Sequence, residues 1–548
     1  MTWLAESAIL SHGWRRFLLL VAAGGVAGLS VPPLFLLPAL FIALPVWVWC
    51  LDGAEKRRGL GALFGPAFGI GFAFGFGYFT VALHWIGAAF LQEGGWFVLL
   101  MVPAVLALAA VLALFWALAS ALAHHLWSAG PLRIVTLASL LAAAEFARGH
   151  LFSGFPFDLL GYALTANDEM AQLAAVVGVY GLTFLAALLA MTPALVWPAD
   201  GRGLVRRLIP FFLALLAIAA QIGWGNWRLA TTPVAARTDM RVRMVQPMIT
   251  AHADWEIADP AEIMDRLISL SESRLTPTDP GLAAVTHLVW PESVFPFFLS
   301  RYPEGLARIA RMLPDSTLLL TGAPREAIGP DGEPEPGNPG YNSILAIDGA
   351  GEVVMRYDKS HLVPIGEYLP FPEFFALFGI RQFVPGTSGW APGDGRRLMT
   401  PPGTPPFLAL VCYEAVFPGD IGDPARAEFI LNVTNDAWYD GSIGPAQHAH
   451  HARLRAVETG LPLLRAANTG TSLVIDPLGR VTARLAEREV AVLDAVPAAR
   501  LAGGTPFTRL WHWPFLAAIG VGLALGLWAR LRERGRRGQI FQPCDDKT

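Results

Sequence analysis

Long apolar stretches dominate the first 224 residues of the chain, and one more lies near its end. Each approaches the roughly 20 mainly apolar residues that a helix needs to cross a bilayer core. They predict eight transmembrane helices, at Phe17–Val31, Pro33–Leu51, Leu60–Leu83, Trp96–Ala121, Leu132–Ala147, Met170–Trp197, Leu208–Trp224 and Leu510–Ala529. A basic pair precedes the first stretch, so a cleavable signal peptide is an alternative interpretation of that segment alone.

The basic residues of the short loops predict which way this membrane part faces. Lys and Arg resist translocation, so they mark cytoplasmic loops. They occur in every second loop and at both ends, at Arg15, Arg16, Lys56–Arg58, Arg133, Arg202–Arg207 and Arg530–Arg537. The loop at 84–95 has none, and Arg148 is the exception to the alternation. We therefore expect both chain ends inside and residues 225–507 outside.

The residues between the seventh and eighth stretches have a different pattern, in which short apolar runs alternate with polar helical stretches. The runs predict strands at Met240–Val245, His287–Trp290, Thr317–Thr321, Ser343–Ile347, Glu352–Arg356, Phe407–Cys412, Phe429–Val433 and Ser472–Ile475. Helices are predicted at Pro260–Arg274, Glu304–Met312 and Pro445–Gly460. Mixed strands and helices of this length indicate a layered α/β or αββα domain. The predicted organisation is a seven-span domain at 1–224, an extramembrane domain at 225–507, and a helix with a basic tail at 508–548.

Composition narrows the function classes. Of the 548 residues 54% are hydrophobic and only 15% are charged, which excludes an ordinary cytosolic protein. The net charge of −4, with basic residues at span ends rather than on one face, argues against nucleic acid as a partner. Three cysteines cannot form a disulfide framework, and no Cys/His cluster has the spacing of metal ligands.

Cys412 is the one cysteine in the predicted extramembrane domain, and it ends an apolar strand. Such a thiol is either buried and inert or reactive. Two other strands lead into charged residues, one into Glu292 and one into Lys359. A thiol nucleophile needs a base and a cationic partner, because the thiolate is the attacking species. His361 is an alternative base, although its place two residues after Lys359 favours a solvated or structural role.

The order of these motifs resembles that of a known family. The segments WPES, YDKSHLVPIGEYLP and LVCYE, followed by Asn435-Asp436-Ala437-Trp438, are similar to the Glu, Lys and Cys motifs of the nitrilase or carbon–nitrogen hydrolase superfamily. Together with the spans on both sides, the chain resembles the apolipoprotein N-acyltransferase family over its full length. The resemblance implies an αββα nitrilase-like domain in which Glu292 is the general base, Lys359 stabilises the oxyanion and thiolate, and Cys412 is the nucleophile.

The resemblance also implies supporting and substrate-binding residues, namely Glu367, Glu414, Tyr413 and Trp438. Glu367 and Glu414 are open to a purely solvated or salt-bridged interpretation, and Trp438 to a packing role. No metal or organic cofactor is implied. The histidines of the segment HAHH (His448, His450 and His451) favour a polar helix surface over a metal cluster. The aromatic segments Phe295–Leu299 and Pro370–Phe375 are interpreted as loops at the lipid interface rather than as core.

The implied function is acyl transfer at the outer face of a bacterial inner membrane. A phospholipid donates the acyl chain to Cys412, and the free α-amine of a diacylglyceryl-modified N-terminal cysteine on an apolipoprotein accepts it. One rival is a membrane-anchored amidase or nitrilase in which water resolves the thioester, and another is a transporter with a degenerate domain. Eight spans exceed what an anchor needs. The complete Glu–Lys–Cys set and the lack of a recognisable repeat disfavour a transporter.

Overall fold

The structure is a computed structural model that describes residues 2–56, 63–198, 201, 203–249, 259–329, 331–335, 338–373, 377 and 389–540. The chain forms two compact units. The first comprises Met1–Gly87, Leu99–Trp227 and Leu510–Thr548, and the second comprises Ala88–Val98 and Arg228–Arg509. The short segment Ala88–Val98 therefore groups with the second unit, although its neighbours in sequence belong to the first.

The first unit is helical. Its α-helices are α1 (Thr2–Leu10), α2 (Gly13–Gly28), α3 (Leu37–Asp52), α4 (Pro66–Ala82), α6 (Met101–His125), α7 (Leu132–His150), α8 (Asp168–Ala171), α9 (Ala174–Ala190), α10 (Leu204–Thr231) and α15 (Trp513–Ile540). The short helix α5 (Ala88–Glu93) lies in the second unit, beside the 3-10 helix Ala437–Tyr439. Each predicted span overlaps at least one helix of the first unit, and the sixth overlaps both α8 and α9, whereas α1 was not predicted.

Within the described residues, four helices are long and apolar enough to cross a membrane, at Gly95–His125, Ala174–Leu195, Leu204–Thr231 and Trp513–Arg534. The pair Pro66–Ala82 and His84–Gln92, bent by 57°, would make a fifth span if it crosses as one. Leu37–Asp52 is a shorter apolar helix. Apolar helices of this kind fit a membrane protein, and the count of eight spans remains a prediction.

An ion pair is buried among these helices. The Arg148 guanidinium donates two hydrogen bonds of 2.8 Å to the Glu145 carboxylate, and both side chains are fully buried. The Trp116 indole donates to the same carboxylate at 2.7 Å. Charges at this depth are expensive unless they are paired, and this spacing of i,i+3 on one helix supplies the partner.

The second unit contains two six-stranded sheets. The strands are β1 (Val242–Gln246), β2 (His287–Trp290), β3 (Leu318–Arg325), β4 (Tyr341–Ile347), β5 (Val353–Asp358), β6 (Leu398–Met399), β7 (Phe407–Val411), β8 (Phe429–Thr434), β9 (Leu463–Ala467), β10 (Leu473–Ile475), β11 (Val481–Arg484) and β12 (Ala491–Ala495). The orders are β12-β1-β2-β3-β4-β5 and β11-β10-β9-β8-β7-β6. β1, β2 and β3 are parallel, as are β7, β8 and β9, and the outer pairs are antiparallel.

Strand periodicity explains how the layers stack. Successive side chains of a strand point to opposite faces, so alternate residues enter different cores. In β2, Val289 packs in the core that joins the two sheets, whereas Leu288 and Trp290 pack in the core beneath the helices α11 (Pro260–Glu272) and α12 (Pro303–Met312). A third core lies between the second sheet and α13 (Gly444–Thr459). The four layers are thus α, β, β and α, as the sequence predicts.

The predicted elements of this domain are confirmed within a few residues, with two kinds of difference. Four strands were missed, namely β6, β9, β11 and β12, because they are short or carry little alternation. The predicted strand Phe407–Cys412 ends one residue earlier, at Val411. Cys412 instead begins a 3-10 helix, Cys412–Val416, and the helix α14 (Pro506–Leu510) ends the unit.

Candidate active site

The ends of four strands bring the candidate residues together. Glu292 follows β2, Lys359 follows β5, Cys412 follows β7, and Asn435 follows β8. The carboxyl ends of parallel strands form the usual site for ligands in α/β folds. The backbone is strained at Cys412, which has a φ of +50°, and at Ser293, the neighbour of Glu292, which has a φ of +45°. Non-glycine residues held in this left-handed region cluster at functional sites.

Glu292 is buried, and both of its carboxylate oxygens accept hydrogen bonds. Oε1 accepts from Nδ2 of Asn342 at 2.7 Å and from Nζ of Lys359 at 3.3 Å. Oε2 accepts from the backbone N–H of Asn435 at 2.8 Å. A Cβ on Gly322 of β3 would lie only 2.5 Å from the Glu292 Cα, so this close approach of two strands requires glycine. The carboxylate is therefore held in one orientation.

Lys359 is shared between two carboxylates. Its Nζ, on a side chain that is 1% exposed, donates to Glu367 Oε1 at 2.8 Å as well as to Glu292. Glu367 also accepts from Asn342 Nδ2 at 3.1 Å and from the backbone N–H of Val363 at 2.8 Å. Burial by itself would lower the pKa of Lys359, but the carboxylates of Glu367 and Glu292 outweigh it and raise that pKa above its usual value. The side chain is therefore a permanent cation.

The Cys412 thiol is partly exposed and lies among these charges. Burial raises its pKa well above the usual value, and the Glu292 carboxylate adds to this effect. The Lys359 ammonium lowers it, as does the Thr434 hydroxyl, which lies 3.4 Å from Sγ. The net shift of the thiol pKa is upward, so the resting thiol is protonated at neutral pH. Reaction at this sulfur requires a base that removes the proton as the bond forms.

Glu414 is fully buried and tied to the backbone that carries the site. Oε1 accepts from the hydroxyls of Tyr357 and Ser360 at 2.9 Å each, and Oε2 accepts from the backbone N–H of Val411 at 2.8 Å. Arg396 forms an ion pair with it at 3.1 Å. Burial by itself would raise the pKa of Glu414, but Arg396 and the backbone donors hold it below its usual value. Glu414 therefore forms a buried salt bridge, and its role in supporting catalysis stays a prediction.

A second group of buried charges lies behind the nucleophile. Asp436 accepts from Arg465 at 2.8 Å, and its other oxygen lies 2.9 Å from Nδ1 of His448 and 3.2 Å from the Thr434 hydroxyl. Nε2 of His448 lies 2.9 Å from the carbonyl oxygen of Cys412. Burial opposes ionisation, but Arg465 and His448 lower the pKa of Asp436 to about 2. Sequence reasoning assigned no chemistry to His448 or Arg465.

One atom of each of Cys412, Asp436 and His448 lies within 4.8 Å of the others, which is a spacing that a metal ion accepts. The donor set does not fit a cation, because the Arg465 guanidinium already pairs with Asp436 and lies 3.2 Å from Nδ1 of His448. A metal ion here would meet a fixed positive charge.

The histidines of α13 correct an expectation. His448, His450 and His451 are 6%, 9% and 0% exposed, so the predicted polar helix surface is wrong. Most of the helix is buried within the unit. The aromatic segment Phe295–Leu299 is also corrected, because Phe295 and Leu299 are core residues. Phe371 of the other aromatic segment is 67% exposed, as expected of an interfacial loop, while Phe374 and Phe375 lie outside the described residues.

The remaining candidates flank the nucleophile. Tyr413 is buried and packs edge-on against Phe417, with ring centroids 5.0 Å apart. Trp438 is half-buried in the 3-10 helix Ala437–Tyr439. His361, the alternative base, has its ring centroid 4.5 Å from that of Phe417, and its Nε2 lies 3.5 Å from the Asp420 carboxylate. Glu292, the other candidate base, accepts a hydrogen bond from Lys359.

Comparison with known proteins agrees with both parts of the chain. Residues 23–192 match the apolipoprotein N-acyltransferase N-terminal domain, and residues 236–499 match the carbon–nitrogen hydrolase family. Among solved structures, the chain is similar to an amidase from Nesterenkonia sp., with 17% identity and a TM-score of 0.32, covering 52% of this chain and 98% of that one.

Curated relatives match over nearly the whole length. An apolipoprotein N-acyltransferase of Rhodopseudomonas palustris is 42% identical over 97% of this chain and 98% of its own. The protein of the same name from Brucella suis is 42% identical over 90% of this chain and 91% of its own. The two matched regions, the four-layered sheet domain and the identity across both units lead to one assignment. This chain belongs to the apolipoprotein N-acyltransferase family, a group of acyltransferases within the carbon–nitrogen hydrolase superfamily.

Proposed function

We propose that this protein transfers a fatty acyl chain from a membrane phospholipid, through a thioester on Cys412, to an apolipoprotein. The acceptor is the free α-amine of its diacylglyceryl-modified N-terminal cysteine. The observation that carries the proposal is the grouping of a thiol, a carboxylate and a buried ammonium at the ends of β7, β2 and β5. The names of the relatives supply the acceptor class.

In the first half-reaction the sulfur of Cys412 attacks the ester carbonyl while Glu292 accepts the thiol proton. The protonated resting thiol makes this transfer necessary. The Lys359 ammonium stabilises the oxyanion of the tetrahedral intermediate. The ester C–O bond then breaks, the leaving lysophospholipid takes the proton from Glu292, and the acyl chain remains on sulfur.

In the second half-reaction the amine attacks the thioester carbonyl. Glu292 accepts a proton from the amine, the C–S bond breaks, and the sulfur leaves and regains a proton. Glu367 fixes the position of Lys359 through their 2.8 Å hydrogen bond. Tyr413 directly follows Cys412 in sequence and Trp438 lies three residues after Asn435, and we assign both of them substrate contacts.

The membrane arrangement belongs to the same proposal. We place residues 1–224 and 508–548 in the bacterial inner membrane with eight spans, and the catalytic domain at 225–507 on the periplasmic side. The basic residues of the loops support this orientation. A reporter that is active only in the periplasm, fused after Arg207, should be silent, whereas one placed after Thr232 should be active. The opposite pattern would contradict the orientation.

Hydrolysis of the thioester by water is the rival reaction, and turnover on phospholipid alone separates the two. Thioesters react readily with amines, and a site that withholds an activated water favours aminolysis. Purified enzyme given phospholipid alone should release about one lysophospholipid per site and then stop, with an acyl adduct on Cys412 visible by intact mass. A peptide with a free diacylglyceryl-cysteine amine should restart turnover, and the same peptide with a blocked amine should not. Steady release of fatty acid without an amine would favour the hydrolase.

A further inference from the structure

His448 faces two atoms that can only accept hydrogen bonds. Its Nε2 lies 2.9 Å from the carbonyl oxygen of Cys412, and its Nδ1 lies 2.9 Å from a carboxylate oxygen of Asp436. A neutral imidazole has one N–H, so one of these short contacts would join two acceptors. Only the doubly protonated ring donates to both. The Asp436 carboxylate supplies the negative charge that such a ring needs.

The Arg465 guanidinium is the cation that faces this ring. One of its nitrogens lies 3.2 Å from Nδ1 of His448, but the same nitrogen donates to Asp436 at the shorter distance of 2.8 Å. Asp436 therefore lies between the Arg465 guanidinium and the His448 ring. The carboxylate oxygen is the nearer partner of Nδ1, and it decides that this nitrogen carries a proton.

We infer that His448 is a buried imidazolium that positions the nucleophile by holding the strained backbone of Cys412 and by offsetting the charge of Asp436. The inference rests on the proposed function, since it deepens the role of the same site. Cys412 has a φ of +50°, which a non-glycine residue keeps only when its surroundings enforce it. The hydrogen bond from His448 to the carbonyl of that residue is one such restraint.

The second effect is electrostatic. Asp436 is one of the charges that raise the pKa of the Cys412 thiol. Two cations offset this carboxylate, Arg465 from β9 and His448 from α13. Loss of the imidazolium charge would leave Asp436 less neutralised and the thiolate harder to form.

The elements packed around His448 carry other ionisable groups, and several of these have ion-pair partners of their own. Glu414, in the turn after β7, pairs with Arg396, and Arg455 pairs with Glu458 on the same helix as His448. Burial and the nearby Arg453 and Arg455 lower the pKa of His450 well below its usual value, so that histidine is neutral. Further titratable groups on these elements are Tyr413 beside the nucleophile, Tyr439 after β8, and Arg453 and His451 on α13, and Glu487 interacts electrostatically with Asp436.

Alkylation of Cys412 by iodoacetamide tests the inference without phospholipid or acceptor. It reports thiolate formation and access alone, so its outcome is independent of whether the donor and acceptor of the proposed function are right. Cys50→Ser and Cys544→Ser form a common background in which Cys412 is the only remaining thiol of the three. The rate is followed by intact mass from pH 6 to 10 for the native His448 and three variants.

The variants separate charge from hydrogen bonding. His448→Gln keeps a donor for the Cys412 carbonyl but removes the charge, whereas His448→Ala removes both. His450→Gln is the matched control, a second buried histidine two residues away on α13. We expect His450→Gln to follow the native rate. His448→Gln should react about tenfold more slowly at pH 7, as one pKa unit implies, and the difference should close at high pH, where the native His448 also loses its charge. His448→Ala should be slower still and should not recover.

Equal rates for His448→Gln, His448→Ala and the His450→Gln control at every pH would overturn the inference. A folded control beside two variants that fail to fold would also overturn it, because the histidine would then hold the domain rather than the nucleophile. If only His448→Ala fails to fold, the pH profile of His448→Gln decides, and an unshifted profile counts against the imidazolium.

Discussion

Two buried groups of ions in this protein differ in how the cation distributes its hydrogen bonds among carboxylates. In the helical unit, Arg148 donates two hydrogen bonds to the Glu145 carboxylate alone, and the buried Asp158 interacts electrostatically with both residues. In the sheet unit, Lys359 is shared by Glu292 and Glu367, so two carboxylates face one ammonium. The cation of each group is buried, yet only the second group lies beside a thiol.

The difference shows how the sharing of one cation between two hydrogen-bonded carboxylates separates a reactive site from a structural ion pair. A matched bidentate pair has no tendency to exchange a proton, because either change leaves a buried charge alone. The site around Lys359 has one carboxylate in excess, and a protonated thiol lies within its electrostatic reach. The surplus carboxylate can accept that proton while the ammonium remains charged. Substitutions in each group test this difference.

Replacing the thiol should have the largest effect. Cys412→Ser should lower acyl transfer by about 10⁴-fold or more, since a hydroxyl is a much weaker nucleophile than a thiol that has given up its proton. The measurement is lysophospholipid release per enzyme. Cys50→Ser, which alters a buried thiol of the helical unit, is the control and should remain near the native rate. Substantial activity in the Cys412 variant would exclude it as the nucleophile.

Removing the surplus carboxylate should have the next largest effect. Glu292→Gln should slow formation of the acyl-enzyme by about 10²- to 10⁴-fold, the usual contribution of a general base. The amide can keep the hydrogen bond from the Asn435 N–H, so the fold should tolerate it. Rapid-quench measurement of the acyl-Cys412 burst provides the readout. A burst of normal rate would assign the base to another residue, with His361 the first to examine.

Removing one partner of the pair Glu145–Arg148 should lower the free energy of unfolding and leave the catalytic rate nearly unchanged. Glu145→Gln leaves the Arg148 guanidinium buried without its carboxylate, which typically costs about 3–5 kcal/mol in unfolding free energy. Thermal unfolding of the purified protein in detergent should shift down by several degrees, and the rate per folded molecule should change little. Glu6→Gln, at an exposed site of α1, should leave the unfolding temperature unchanged. An unshifted Glu145→Gln transition would mean that the pair is not held as described.

The smallest effect should be on the way the unfolding temperature falls at acidic pH, to which Glu414 contributes. Glu414 has its pKa held below the usual value of 4.5 in the folded protein, so its contribution to stability is present above pH 4.5 and is lost as pH falls through the lower folded pKa. Unfolding temperature measured from about pH 7 to about pH 3 should therefore fall less steeply in Glu414→Gln than in the native protein, from a lower starting value. Parallel curves would show that this carboxylate does not contribute to acid sensitivity.

Much of the site could be predicted from the sequence, because strand ends can be read from it. The apolar runs that become β2, β5 and β7 lead into Glu292, Lys359 and Cys412, so each of these side chains is placed at the carboxyl end of a strand. Motif order then pointed to the family, which the relatives confirm. The apolar helices could also be predicted from the sequence, because each is a continuous apolar stretch that approaches about 20 residues.

Burial of the polar residues, and the partners they meet, depended on tertiary packing. His448, Arg465 and Asp436 lie on three different elements, and nothing in the local pattern around any of them records the other two. A helix with three histidines looks polar from its sequence, yet α13 is packed inside the unit. The same reason applies to Phe295, whose place in the core depends on helices packed over β2. Hydropathy reports what a segment prefers on average, whereas burial of a polar group depends on a specific partner that only folding brings within hydrogen-bonding distance.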